Sequence, residues 1–291
     1  MICNACPRQC GVDRDKVTGA CKMSNTVRVA KIMVHSWEEP PISGTRGSGT
    51  IFFSGCNLGC VYCQNRDISH TGYGKEMTIS ELAEAMLDLQ KKGVHNINLV
   101  TPTHFASQIR EAIDLVRGEL KIPIVYNTSG YELSCEIAKM SGYVDVFLTD
   151  IKYFSPELSK KYSNASNYFE CAISAFGKML ELAPKCVFDE NGIMLSGVIL
   201  RHLVLPTMRN DSKEILNRVA SLYGTSDFKL SLMCQYTPEF CDDKFKEIKR
   251  KITTFEYQSV LEHALSLGFD GYMQDISSAN TIYTPNFKEN I

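Results

Sequence analysis

The chain has no long block of Lys or Arg, and no segment approaches the roughly 18 uninterrupted apolar residues of a membrane span. With a formal net charge of −2, the first absence leaves no electrostatic footprint for nucleic acid. The second leaves no spanning helix, and a membrane role is not expected. The densest basic stretch, residues 244–251, is interrupted by Phe245, Glu247 and Ile248 and reads as the solvated face of a helix. No apolar h-region follows the first residue, so a cytoplasmic protein is expected. Repeats and low-complexity tracts are also missing. What remains is an ordinary globular composition: 291 residues, 44% of them hydrophobic, suffice for one full-sized barrel-type domain with a small appendage. Cysteine is the exception. Twelve cysteines without a signal peptide point to metal ligation in a reducing compartment rather than to a disulfide scaffold.

Three of them, Cys56, Cys60 and Cys63, lie in the run from Phe53 to Asn65. Three residues separate the first two and two separate the last two, a spacing unlike ferredoxin runs or paired zinc knuckles. Three thiolates hold a cubane [4Fe-4S] cluster on three of its irons. The fourth iron is then free for a substrate or cofactor, which points to chemistry beyond electron storage.

From residue 49 to about residue 273, short β-branched runs alternate with amphipathic helical stretches, the pattern of βα units on a parallel sheet. Strands are expected at 49–54, 96–100, 123–127, 144–149, 195–205 and 229–233. Helices are expected at about 78–92, 109–116, 133–140, 169–182, 212–223 and 255–267, the first opened by a capping box of Thr78 and Glu81. The fold class is therefore α/β, a partial six-stranded barrel. The three cysteines follow the carboxyl end of its first strand, where barrel enzymes carry catalytic loops. Residues 1–48 are expected to form a separate cysteine-rich, metal-binding cap, and residues 49–291 the barrel with a C-terminal extension.

The cysteine spacing, with the aromatic Tyr62 before the last cysteine, resembles the radical S-adenosylmethionine (SAM) superfamily. Cys60 to Asp67 is similar to the corresponding segment of glycyl radical enzyme activating enzymes, notably those of the pyruvate formate-lyase type. The resemblance spans nearly the whole chain. It also takes in Cys6 to Gly11, Trp37 to Pro40, Val100 to His104 and residues 274–280, and lies closest to a less characterised branch of these proteins. It implies a radical SAM partial (β/α)6 TIM-type barrel and an oxidoreductase chemistry. In that chemistry a reduced cluster passes one electron into the SAM sulfonium, and the resulting 5′-deoxyadenosyl radical abstracts hydrogen from a substrate.

The resemblance also assigns roles residue by residue. Tyr62 inherits a contact with adenine, with packing under the loop as the alternative; Asn65 helps hold the cofactor or serves as a turn residue. Asp150 and Lys152 match the Asp-x-Lys motif that holds the SAM ribose and carboxylate, against the alternative of a surface ion pair. His202, beside Arg201 on the fifth strand, is a candidate ribose contact or a structural histidine. One departure stands out: where many activating enzymes carry a Gly-Gly-Glu-like segment, this chain has Thr101 and Thr103, whose oxygens could accept from the SAM amino group. His104 either lines the substrate pocket or starts a helix with Thr103 as N-cap.

Cys3, Cys6, Cys10 and Cys21 supply four thiolates within nineteen residues, suited to zinc or to a fully ligated auxiliary iron–sulfur cluster. Cys135, Cys171 and Cys186 are expected to be buried small hydrophobes, and Cys234 and Cys241 free thiols near the active-site rim. The leading functional expectation is a radical SAM hydrogen-abstracting enzyme, in its narrower form an activase acting on a glycine of a partner protein. A one-electron reductant such as flavodoxin or ferredoxin would serve it. Modification of a small molecule or peptide is the rival within the enzyme class, and a noncatalytic iron–sulfur electron-transfer or metal-binding protein the rival outside it.

Overall fold

The computed structural model describes residues 2–275, 285 and 287. Of the segment 274–280 singled out above, residues 276–280 lie outside the described residues.

Continuous apolar runs become strands buried on both faces. β2 (Ser48–Phe53), β4 (Ile97–Val100), β5 (Ile124–Thr128) and β6 (Val146–Asp150) are buried at every position, as strands covered by helices must be. They run parallel in that order and continue into β8 (Met194–Leu203), β9 (Lys229–Met233) and the short β10 (Gly271–Met273). The sheet is mostly parallel and does not close, in keeping with a partial barrel. All six expected strands are present, and β10 adds a parallel strand that the sequence pattern missed.

On the other edge the sheet turns antiparallel. β1 (Val27–His35) pairs with β2, and β3 (Lys75–Met77) pairs with β1. The segment expected to form a cap up to residue 48 thus contributes a strand of the sheet itself. The residues before Val27, and the link with α1 between β1 and β2, lie off it. β7 (Val187–Phe188) makes a small hairpin on β8.

Helices cover the outer face. α3 (Ile79–Lys91) starts at the expected capping box: the Thr78 hydroxyl accepts from Glu81 N at 3.1 Å, and Thr78 N donates back to the Glu81 carboxylate at 2.7 Å. With α4 (Ala106–Val116) it buries Leu82, Met86, Ile109 and Ile113 over the outward residues Ile51 and Phe53. α5 (Ser134–Ala138), α7 (Tyr168–Leu182), α8 (Arg209–Tyr223) and α9 (Thr254–Ser266) bury a larger core on Phe147, Val198 and Leu200. α6 (Pro156–Ser163), opened by Ser155 as N-cap, was not anticipated. α1 (Pro40–Ser43) and α2 (Arg66–Ser69) are single turns. α1 carries Ile42 into the barrel interior against Val125, Val146, Leu148 and Ile199. No helix among the described residues is long and apolar enough to cross a membrane.

Strand alternation then sorts each strand into two faces. Val125 and Asn127, Val146, Leu148 and Asp150, Ile199 and Arg201 share parity on their strands and face inward. Phe147, Val198, Leu200 and His202 face the helices. Above the apolar floor around Ile42, the inward column turns polar.

Gly130 ends β5 with φ +77°, and a Cβ there would stand 2.1 Å from the Asp150 carbonyl oxygen. Gly130→Ala should therefore lower stability by about 1–3 kcal/mol, read as a drop in urea midpoint with unchanged slope. A midpoint equal to wild type would show that β5 and β6 do not meet there as described.

Candidate active site

The loop after β2 and the carboxyl ends of the parallel strands enclose one pocket. Cys56, Cys60, Cys63, Tyr62 and Asn65 come from the loop, Thr101 from the end of β4, Asn127 to Ser129 from β5, Asp150 and Lys152 from β6, and Arg201 and Leu203 from β8. Met233, Gln235, Tyr236 and Thr237 line it from β9 and the loop beyond.

The three thiols are tied separately. Ser163 Oγ donates to Cys60 Sγ at 3.0 Å, Cys63 Sγ meets Ser69 Oγ at 3.5 Å, and Leu58 N donates to Cys56 Sγ at 3.3 Å. Burial pushes the Cys60 thiol up to about 12, so without a metal it stays protonated. Among the described residues no three Cys, His, Asp or Glu side chains stand arranged as a finished metal site, and metal binding has to exchange these hydrogen bonds for metal–sulfur bonds. The donor set nonetheless suits an iron–sulfur cluster: three thiols on one loop, all lining one cavity.

Tyr62 is buried at the pocket wall. Its hydroxyl meets that of Tyr153 at 2.6 Å, its ring stands edge-on to Tyr236 at 5.8 Å, and Tyr153 in turn meets Ser163 Oγ at 2.8 Å. A hydrogen-bonded chain therefore runs from Tyr62 through Tyr153 and Ser163 to Cys60. Asn65 lines the pocket with Oδ1 buried and lacking a protein partner, an acceptor that calls for a bound donor. Thr101 holds φ +60°, unusual for a β-branched residue and immediately before Pro102, and its N donates to Asn127 O at 2.9 Å.

Asp150 is the electrostatic centre. Lys152 Nζ donates to Oδ2 at 2.5 Å and Arg201 Nε to Oδ1 at 2.8 Å. Burial raises its pKa, but the charges of Arg201 and Lys152 outweigh that and hold it below the usual carboxylate value. Arg201 also donates to Asn127 Oδ1 at 2.6 Å and to Glu38 Oε2 at 3.4 Å. Glu38 accepts in addition from Asn98 at 3.1 Å and Asn127 at 3.2 Å. Burial raises the Glu38 pKa despite Arg201, and the neighbouring Glu39, bonded to Ser231 at 3.1 Å, is pushed by burial up to about 7. Sequence reasoning had not named Glu38, Asn127 or Arg201 as site residues. For Asn127 and Arg201 the available signal was inward parity on their strands; Glu38 lies in the link between β1 and α1, where strand parity gives none.

Three expected site residues stand elsewhere. His202 faces α8: Nδ1 meets Ile151 O at 2.7 Å, Nε2 meets Ser212 Oγ at 2.8 Å, and it does not line the pocket. Burial lowers its pKa to about 4, so it is a neutral structural histidine. His104 is likewise buried, its Nε2 on Ser54 O at 2.7 Å, and lies off the pocket. Thr103 is buried behind the pocket wall and donates to Glu132 Oε1 at 2.5 Å. Cys135 is exposed rather than buried, because its turn of α5 faces solvent, and Cys171 and Cys186 are half-buried. Cys234 and Cys241 are buried and free.

Glu132 accepts from Thr103 and Thr128 at 2.5 Å each, and burial pushes it up to about 7. A carboxyl raised in the folded state gives its full stabilisation below about 4.5 and loses it as pH rises through about 7. Relative to Glu132→Gln, wild type should lose roughly 1–3 kcal/mol between pH 5 and pH 8, measured by urea unfolding at both. A wild-type-to-variant difference that does not move with pH would show that Glu132 is charged throughout.

Comparison with known proteins fits this geometry. Residues 50–194 match the radical SAM superfamily. The chain is 27% identical over 278 residues to an uncharacterized protein of Methanocaldococcus jannaschii, covering 92% of this chain and 75% of the relative. It is 27% identical over 194 residues to the pyruvate formate-lyase-activating enzyme of Clostridium pasteurianum, covering 65% of this chain and 75% of that protein. Its fold is similar to that of a radical SAM methyltransferase from Sphaerobacter thermophilus, with a TM-score of 0.54 and 14% identity over 79% of this chain and 68% of the other.

Proposed function

The chain belongs to the radical SAM superfamily, and from that premise we propose that it is a hydrogen-abstracting enzyme whose SAM site is the pocket between the cysteine loop and Asp150. Membership implies a [4Fe-4S] cluster and SAM. The observation that carries the reading is the meeting of Cys56, Cys60, Cys63, Tyr62, Asn65, Thr101, Asp150 and Lys152 on one cavity at the carboxyl ends of the strands. Held by these residues, the cluster would supply one-electron reduction of SAM for hydrogen-atom abstraction from substrate.

The chain's own side chains have the following tasks. Cys56, Cys60 and Cys63 would hold the cluster. Asp150 accepts from the ribose hydroxyls. Lys152 keeps Asp150 as one partner and offers its remaining N–H groups to the SAM carboxylate. Tyr62 packs along the adenine, Asn65 Oδ1 accepts from a cofactor N–H or O–H, and the backbone and hydroxyl of Thr101 border the amino end. Arg201 positions Asp150 and does not itself need to touch SAM. Buried aromatic walls at Tyr62, Tyr153 and Tyr236 exclude water from the reacting end.

In its narrower form the enzyme is an activase that places a radical on a glycine of a partner protein, supported by the 27% identity to a pyruvate formate-lyase-activating enzyme. The charged floor of the pocket favours a second reading. Glu38 and Arg201 lie inside the same cavity, and Trp37 and Pro285 border it, an enclosure suited to a small polar substrate or a short peptide. A glycyl radical signal in a candidate partner after incubation with SAM and reductant supports the first; a modified metabolite without that signal supports the second.

Anaerobically reconstituted protein should release 5′-deoxyadenosine from SAM on reduction, and Cys60→Ala should abolish the product. Lys152→Ala should keep the cluster absorbance and weaken SAM binding by about 10- to 100-fold, the loss of a charge-assisted contact of roughly 1.5–3 kcal/mol. Reduced, cluster-loaded wild type that leaves SAM intact would rule the enzyme reading out.

A further inference from the structure

We propose that Cys3, Cys6, Cys10 and Cys21 bind one thiophilic metal centre as a closed four-sulfur site, and that this site fastens the loop carrying Cys56, Cys60 and Cys63. Residues 2–26 carry almost no regular structure, yet their chain is folded tightly by turns. Cys3 N donates to Val12 O at 2.9 Å and Gly11 N to Cys3 O at 3.1 Å; Gln9 N reaches back to Cys6 O at 3.0 Å and Lys22 N to Gly19 O at 2.8 Å. Gln9 and Lys22 hold φ values of +40° and +67°, so two strained turns each set a cysteine beside them.

The turns gather the sulfurs. Cys10 Sγ and Cys21 Sγ both lie 3.5 Å from the point where a Cβ on Gly19 would stand. The bond from Gly11 N to Cys3 O holds Cys3 beside the residue that follows Cys10, and Cys6 and Cys21 are both buried. All four are free thiols. So short and irregular a segment has too little apolar surface to hold such turns by burial, whereas a metal would lock them. Four sulfur donors suit zinc or iron and leave no position open, which makes the site structural or electron-relaying rather than substrate-binding.

The same segment grips the loop of the other three cysteines. Arg8, between Cys6 and Cys10, donates through Nε to Asn57 O at 2.6 Å and through Nη2 to Leu58 O at 3.2 Å and Ser163 O at 3.1 Å; Nη1 donates to Asn164 O. Cys56 N donates to Cys21 O at 3.3 Å, and Lys22 Nζ to His70 O at 2.8 Å. Closing the first site therefore fixes Arg8, and through it the carbonyls on both sides of the Cys60–Ser163 contact. This second half of the proposal rests on the radical SAM reading of the loop.

The test uses full-length protein purified and reconstituted anaerobically, with zinc and iron counted per chain. The triple variant Cys56→Ala, Cys60→Ala, Cys63→Ala should retain a metal centre, about one zinc or about four irons. Either metal supports the site. The double variant Cys6→Ser, Cys21→Ser should lose that content, keep the loop cluster and surrender its iron to a chelator about 10-fold faster than wild type. Arg8→Ala should keep both metals and show the same faster loss. A triple variant holding neither zinc nor iron, or alkylation mapping that finds two disulfides among the four cysteines, overturns the site. Equal chelation rates in wild type and Arg8→Ala overturn the fastening. Failure of the radical SAM reading would appear separately, as wild type whose metal content equals that of the triple variant.

Discussion

Everything in the pocket is arranged around the buried pair of Asp150 and Arg201. Their Cα positions are partners across the β6–β8 register, so both side chains leave the sheet on its inner face at the same height. Taking an isolated carboxylate and guanidinium out of water costs several kcal/mol each, repaid only when geometry and further hydrogen bonds are good. Here the guanidinium engages Asp150, Asn127 and Glu38, reaching three different segments of the chain. The strand ends are therefore not free to splay apart at the site, although the sheet is open. Two cations stand against Asp150, Glu38 and Glu39; burial, with the Glu38 charge adding to it and Arg201 opposing it, raises Glu39 to about 7.

That polar layer needs an apolar floor, and α1 supplies it. Pro40 and Pro41 start a single helical turn where their missing N–H groups cost nothing, and the turn drives Ile42 between Val125, Leu148 and Ile199. The two residues just before it are Glu38 and Glu39, which meet Arg201. One short segment thus both stoppers the barrel and delivers the counter-charges. Thr101, in a left-handed conformation ahead of Pro102, completes the rim from β4.

Much of the barrel was legible in the sequence, because buried parallel strands are written as continuous apolar runs and two helices begin at capping boxes, Thr78 with Glu81 and Thr253 with Glu256. β1 was missed because it was grouped with the cap that precedes it, and its pairing with β2 is a tertiary fact that local pattern does not carry. β10 is too short to show a period. Spacing and motif singled out the cysteine loop, Asp150 and Lys152, which line one pocket. Of the two readings open for His202, strand geometry favours the structural one: it is next to Arg201 in sequence, and neighbours on a strand point to opposite faces. Arg201 enters the pocket and His202 packs on Ser212 of α8. Thr101 and Thr103 share the motif Thr-Pro-Thr in the same way, and the turn at Pro102 sends only the first to the cavity.

The difference between Lys152 and Arg201 then follows from their chemistry rather than from their distance to Asp150, which is nearly the same. A planar guanidinium held by three partners, one on each nitrogen, has its orientation fixed by them. Moving it toward an incoming carboxylate would uncover Glu38 and Asp150 at once. An ammonium carries three donors on a flexible stem, and Lys152 can keep Asp150 while turning another N–H toward a ligand. Burial lowers the Lys152 pKa, yet the Asp150 charge outweighs it, so the ammonium stays charged before any ligand arrives. An anionic group can therefore dock against a cation that the protein has already desolvated and balanced, with no buried charge created in the process. The pair on β6 and β8 holds the site together; the lysine two residues along the chain is the part that can answer a ligand.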